Sequence, residues 1–298
     1  MRRLSFNRHP NLFVSPDRRP SRAAYAIPTF FTAGNVFLGY IAVTQTVQAA
    51  MLTAASLGGA ELRFEIAAKT IGAAVFLDGL DGRIARMTNT TSEFGREMDS
   101  LADVISFGIA PAILAFVWGI HFVDSGLAAN IVSHLHRAGY FVAFLFLLCG
   151  AARLARFNVQ KNPVPKNPGR PDRKYFVGLP IPAAAAMVAA VVYASGCTPI
   201  RTWPFAVGWL GLLLVLSFLM ISTWRYYSFK QLNLLRPRHP LVIILLGSLI
   251  YAVWYYSEIV LMAAAVAYVG SGIVIRVGGI LRRILRPKLA QKESQRNA

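Results

Sequence analysis

Residues 78–103 read D-G-L-D-G-R-I-A-R-M-T-N-T-T-S-E-F-G-R-E-M-D-S-L-A-D and contain Asp78, Asp81, Asp99 and Asp103, four of the chain's 13 acidic residues. On a helix Asp78, Asp81, Gly82, Ala85 and Arg86 fall at i, i+3, i+4, i+7 and i+8, so they share one face. Gly95, Asp99 and Asp103 do the same at i, i+4 and i+8. Between the two sets lie Met87 to Phe94, where Thr88, Asn89, Thr90, Thr91 and Ser92 favour turns over helix. The stretch therefore predicts an antiparallel helical hairpin that gathers four carboxylates. Apolar neighbours, Ala73 to Leu77 before it and a long apolar run after it, make such acids costly unless they have a function.

Gathered carboxylates repel one another unless a positive charge sits among them, and oxygen-only ligands favour a hard cation such as Mg2+ or Mn2+. We therefore expect a divalent metal site with Asp78, Asp81, Asp99 and Asp103 as candidate ligands. Arg86, on the same face, can neutralise a further anion, while Gly82 and Gly95 leave room for a ligand or a facing backbone. Metal, arginine and glycines together point to a phosphate-bearing substrate.

The rest of the chain is greasy. Its 298 residues are 55% hydrophobic and 12% aromatic, and the mean hydropathy is +0.49, which predicts an all-α polytopic membrane protein. A net charge of +18 would indicate nucleic acid in a soluble protein. Here the cations lie in the gaps between apolar runs, so they report topology and no nucleic-acid partner is expected. Cys149 and Cys197 have no neighbours at metal-ligand spacing. The first long apolar run begins only near Pro28 and leads straight to the acidic hairpin, so no cleaved signal peptide is expected.

Runs long enough to span roughly 30 Å of hydrocarbon at about 20 residues each lie near 28–49, 66–87, 96–120, 138–157, 178–196, 204–223, 239–256 and 258–276. We divide the chain into a basic interfacial segment at 1–27, a six-helix catalytic domain at 28–223, and residues 224–298. That last part comprises a basic connector, a C-terminal transmembrane helix pair and a charged tail. Assigning the basic gaps to one side places there 27 of the 31 Lys and Arg residues. The other side keeps Arg63, Lys69, Arg137 and Arg201. By the positive-inside rule both termini and the acidic hairpin face the cytoplasm, within reach of a cytoplasmic nucleotide.

Two further constellations stand out. Thr32, Asn35 and Gly39 form a small, polar stripe on the first helix, readable as helix packing or as a nucleotide-facing edge. Arg153, Arg156 and Asn158 end the fourth helix; basic residues there also serve the helix dipole, topology and lipid headgroups.

The eight fixed positions Asp78, Asp81, Gly82, Ala85, Arg86, Gly95, Asp99 and Asp103 match D-x-x-D-G-x-x-A-R-x(8)-G-x(3)-D-x(3)-D, so the chain resembles the CDP-alcohol phosphotransferase family. S-F-G-I-A-P-A (Ser106 to Ala112), A-R-L-A-R-F-N, F-V-G-L-P-I-P-A-A-A and the connector S-T-W-R-Y-Y-S-F-K resemble the segments of its bacterial membrane-bound members that use serine. The resemblance covers most of residues 28–233 and not the last helix pair. It implies a six-helix core of that family plus two C-terminal helices, in the bacterial cytoplasmic membrane. The implied reaction moves the phosphatidyl group of CDP-diacylglycerol to the hydroxyl of L-serine, releasing CMP, with one or two divalent ions on the aspartates.

The resemblance also implies that Asp103 acts as general base and that members assemble as homodimers; spacing alone leaves Asp103 open as ligand or base. CDP binding would then involve Thr32, Asn35, Asp78, Gly82, Ala85, Arg86 and Gly95, and serine binding Arg153, Arg156 and Asn158. A sibling enzyme with glycerol 3-phosphate or inositol as acceptor is the alternative within the family. A cation-coupled transporter, whose acids would scatter along the bilayer midplane in two related halves, is the alternative outside it.

Overall fold

The structure is a computed structural model that describes residues 22–88, 93–123, 126, 128–161, 175–227, 247–248 and 251–296. Side chains are described except at 22–29, 81–88, 93, 160–161, 175–177, 225, 227 and 279–296. In chain order the elements are α1 (Arg22–Ala54), α2 (Ala60–Thr88), α3 (Glu93–Asp103), a π-helical segment π1 (Val104–Ile109), α4 (Ala110–Phe116) and a second π segment π2 (Val117–His121). There follow α5 (Ala129–Lys161), β1 (Tyr175–Val177), α6 (Ile181–Ala194), α7 (Trp203–Ile221), β2 (Arg225–Tyr227) and α8 (Ser257–Arg296).

Among the described residues the fold is thus helical apart from one short ribbon, and each of the first six expected spans is a helix or an unbroken helical run. Helices exceed the apolar stretches that announced them. α1 begins at Arg22, inside the basic segment set apart at 1–27, and α5 runs 33 residues, because a helix need not stop where the hydrocarbon does. The segments 30–54, 94–121, 129–159, 203–221 and 257–278 are long and apolar enough to cross a membrane. α2, at 29 residues, has the length, and its charges keep it out of that set; α6 is apolar but shorter. The seventh expected span, 239–256, falls largely outside the described residues, of which 251–255 are helical. The eighth is α8, which continues as helix to Arg296 through the stretch expected to be a charged tail. That stretch is rich in Leu, Arg, Lys, Ala and Gln, all strong helix formers.

α1 lies along α2 and also touches α3, π1 and α4; α2 packs on α6, α6 on α8, and α5 on α7. The core they enclose includes Phe64, Ile71, Phe107, Leu114, Phe146, Leu213 and Leu216, all buried. Phe37, Phe141, Phe205 and Phe218 point outward, as helices immersed in lipid require.

The run from α3 to π2 twice leaves α-helical hydrogen bonding. A π turn pairs i with i+5 and strands a carbonyl at its edge, and neighbours claim those carbonyls here. Trp209 Nε1 of α7 donates to Ala115 O at 2.9 Å, and the backbone N–H of Ile200 donates to Trp118 O at 2.9 Å. The Trp209 indole lies directly against Gly119, where a Cβ would overlap it.

β1 and β2 pair antiparallel with Phe176 opposite Tyr226. Beyond the ribbon, Gly178 N–H donates to Trp224 O at 2.8 Å and Leu179 N–H to Leu219 O at 3.0 Å. Gly178 has φ +79° and a Cβ there would sit 2.6 Å from Met220 O, so only glycine suits the position. The ribbon fastens the entry of α6 to the exit of α7.

Candidate active site

Asp78 comes from α2, Asp99 from α3 and Asp103 from the junction of α3 with π1. Each offers a carboxylate oxygen, and the three oxygens lie within 4.8 Å of one another. Asp78 and Asp99 are half-buried and Asp103 is buried. At an effective dielectric constant of about 20, two charges 4.8 Å apart repel by about 3.5 kcal/mol. Three such pairs rival the stability of a whole domain. An all-oxygen, mutually repulsive donor set of this kind fits a hard divalent cation.

Asp81, Gly82, Ala85 and Arg86 continue α2 beyond Asp78 toward Thr88, at helical spacings that share its face; their side chains lie outside those described. Gly95 lies on α3, one turn before Asp99. The segment separating the two helices is shorter than expected: both run into it, leaving only residues 89–92 between them. Among the described residues, α1 packs on both arms of the hairpin.

α1 is therefore the backing of the site. Thr32 is 4% and Asn35 2% exposed, so both face inward. Gly34 lets Leu77, the residue before Asp78, approach; a Cβ there would stand 3.2 Å from Leu77 Cδ2. Gly39 lies against Ser106 of π1, and Ser106 Oγ donates to Asn35 O at 2.8 Å. The helix-packing reading of this stripe fits, since the small residues seat α1 against its neighbours, and Asn35 Oδ1 is left buried with no hydrogen bond.

The three residues singled out at the end of α5 separate into different situations. Arg153 is buried, its Nε has no hydrogen-bond partner, and it lies within electrostatic range of Asp103 and Tyr268. Arg156 Nη1 donates to Ile221 O at 3.0 Å, satisfying a terminal carbonyl of α7 as basic residues at helix ends do. Asn158 Nδ2 donates to Ser100 Oγ at 2.9 Å and so ties α5 to the residue after Asp99.

Sequence reasoning gave no individual role to Ser100, Ser106, Tyr226 or Tyr268. Tyr226 of β2 is fully buried, its ring 5.9 Å from that of Tyr268 and seated against Gly272 of α8. Burial pushes its phenol up to about 12, so it stays protonated at neutral pH. Only the helical spacing of Tyr268 and Gly272, which puts them on one face of α8, hinted at this. Cys149 and Cys197 are free and buried.

An apolar cavity of about 1070 Å³ adjoins the carboxylates, with Asp78 in its lining. α2, α6 and α8 line it, and it is partly open at the surface.

The profile of the CDP-alcohol phosphatidyltransferase family matches residues 25–217. Among curated proteins, a CDP-diacylglycerol–serine O-phosphatidyltransferase of Helicobacter pylori (strain J99) is 36% identical over 220 residues, which is 72% of this chain and 77% of that one. The protein of the same description from Bacillus subtilis (strain 168) is 29% identical over 205 residues, 69% of this chain and 92% of its own. An archaetidylserine synthase of Methanothermobacter thermautotrophicus is 32% identical over 203 residues, covering 67% and 69%.

Proposed function

The chain belongs to the CDP-alcohol phosphatidyltransferase family, and from that premise we propose that it is a phosphatidylserine synthase. It joins the phosphatidyl group of CDP-diacylglycerol to the hydroxyl of L-serine and releases CMP. The observation that carries this reading is the convergence of Asp78, Asp99 and Asp103 within 4.8 Å beside an apolar cavity, in a multi-pass membrane protein. Clustered acids of this kind also disfavour the transporter alternative, which needs them dispersed.

Asp78, Asp99 and Asp103, with Asp81 one turn along α2, would hold Mg2+ or Mn2+. Bound there, the ion supplies charge neutralisation for the pyrophosphate and for departing CMP. Asp103, the most buried of the three described, takes the proton from the serine hydroxyl as that oxygen attacks the phosphorus bearing diacylglycerol. Thr32, Asn35 and the Gly82-Ala85-Arg86 face of α2, with Gly95 opposite, cradle the CDP moiety.

Arg153 receives the serine carboxylate, for which a planar guanidinium offers two parallel donors; its buried, unsatisfied Nε supports that role. Asn158 holds Ser100 and through it the Asp99 turn, and Arg156 fixes the end of α7. The site faces the cytoplasm with both termini, in a bacterial cytoplasmic membrane. The exposed apolar faces of α1 and α7 meet lipid and a second copy of the chain.

One experiment tests the assignment. Purified protein is incubated with labelled serine, CDP-diacylglycerol and Mg2+ or Mn2+, and the lipid product is identified. Labelled phosphatidylserine is the expected result. Product formed only when glycerol 3-phosphate or inositol replaces serine would move the protein to a sibling activity.

A further inference from the structure

The cavity beside Asp78 is bounded by three helix faces built from small residues, among them Gly72 and Ala73 of α2, Ala186 and Ala190 of α6, and Ala264 and Ala265 of α8. Small side chains in membrane helices ordinarily draw the backbones together; here they leave an open, apolar volume of about 1070 Å³. Among its described lining residues two are charged, Asp78 and Lys69, both on α2. They are nine residues apart on α2, so at about 1.5 Å per residue the part of the cavity wall between them is about 14 Å long. That is close to half of the roughly 30 Å hydrocarbon core, the depth of one leaflet. At the Lys69 end the ammonium stands 5.3 Å over the Tyr193 ring, and Tyr193 and Ser257 share a 2.8 Å hydrogen bond that joins α6 to the start of α8.

An apolar, partly open groove about one leaflet deep, with a carboxylate of the pyrophosphate site in its lining, matches the tail of a lipid whose phosphates sit on that carboxylate cluster. Its third wall is the unexpected part, because α8 lies wholly beyond residues 25–217, the extent of the family match. We propose that the cavity holds an acyl chain of the nucleotide-lipid donor and that α8, through Ala264 and Ala265, sets the breadth of chain it accepts. The inference deepens the functional reading above and rests on its diacyl donor.

The test uses the full-length protein in nanodiscs, with dioctanoyl and dioleoyl CDP-diacylglycerol as paired donors. Ala264→Leu or Ala265→Leu inserts bulk that a kinked, long chain must displace. The expected outcome is a fall of about tenfold in kcat/KM for the dioleoyl donor, the equivalent of modest overpacking. The dioctanoyl donor and the serine KM should stay close to wild type. Equal losses on both donors, or none on either, overturn the proposal.

A binding readout on the wild-type chain is independent of any folding defect in the variants. Dioleoyl-length CDP-diacylglycerol carrying a diazirine along one acyl chain should label peptides covering Ser257–Ser271. Labelling confined to other helices in an enzyme that turns over refutes the role of α8 and leaves the synthase assignment standing. Labelling of α8 in a protein that makes no phosphatidylserine supports the cavity and refutes that assignment.

Discussion

Replacing Gly39 by Ala tests how closely α1 must approach the π segment. The new Cβ would stand 2.7 Å from Ser106 Oγ and 2.9 Å from Ser106 Cα, against about 3.5 Å or more for a comfortable carbon contact. The hydroxyl is held by its bond to Asn35 O, and the Cα is backbone, so neither neighbour swings aside. The helices must part by about 0.6 Å, at about 1–3 kcal/mol for overpacking, plus about 1 kcal/mol if the Ser106–Asn35 bond is lost. Alanine's better helix propensity returns about 1 kcal/mol, leaving a net loss of about 1–3 kcal/mol and a Tm lower by several degrees.

Activity should suffer more than stability, because α1 backs the aspartates and a displacement approaching 1 Å costs catalysis up to about 10²-fold. Gly211→Ala, where a Cβ meets nothing within 4 Å, is the matched control and should leave both unchanged or slightly raise Tm. The measurements are thermal unfolding in detergent and initial rates of phosphatidylserine formation. A Gly39→Ala protein as stable and as active as Gly211→Ala would refute the reasoning.

Excess EDTA should abolish turnover and added Mg2+ or Mn2+ restore it, while Asp78→Asn or Asp99→Asn should be inactive at any metal concentration; full activity in EDTA would remove the metal from the scheme. Asp103→Asn should retain CDP-diacylglycerol binding while turnover falls by about 10²–10⁴-fold, the usual worth of a positioned general base, and loss of both together would make Asp103 an indispensable ligand. Arg153→Lys should raise the serine KM with little change for CDP-diacylglycerol, whereas Arg156→Lys, whose partner is a helix carbonyl, should chiefly lower Tm; the reverse pattern would exchange their roles. In a background lacking Cys149 and Cys197, cysteines at Thr88 and Thr223 should react only from the cytoplasmic side and cysteines at Gly59 and Arg201 only from the other, an orientation that labelling in right-side-out and inverted vesicles decides.

Charge and spacing made the acidic site legible early, because Asp78, Asp99 and Asp103 fall on helical repeats and the structure does bring their oxygens together. The first six spans were equally readable from apolar length. What could not be read has a common cause: it depends on which face meets which neighbour. Arg153 and Arg156 are three residues apart on one helix end and look alike in sequence, yet one is buried near Asp103 and the other bonds Ile221 O. The π segments leave no periodic mark, since V-I-S-F-G-I reads as any apolar turn. The extent of α8 was hidden by its charges, which hydropathy counts against a span but which do not disfavour helix.

The π segment that begins at Val104, directly after Asp103, has a consequence for how the chain tolerates deletions. Such a turn holds one residue more than an α-helical ladder requires, so removing any one residue from 104–109 lets the ladder close and the segment still crosses the bilayer as a continuous helix. Hydrophobic length, topology and insertion into the membrane would be almost untouched. At 3.6 residues per turn each residue corresponds to a rotation of about 100°, which the wide turn absorbs, so when it closes the residues on its N-terminal side keep their phase relative to α4. Asp99 and Asp103 would go on facing Asp78, whereas a deletion from the regular turns of α4, with no surplus residue to absorb it, would swing both away. The π segment is thus a stretch of this helical run where the chain can lose a residue without parting the clustered carboxylates, and the turns just beyond it have no such allowance.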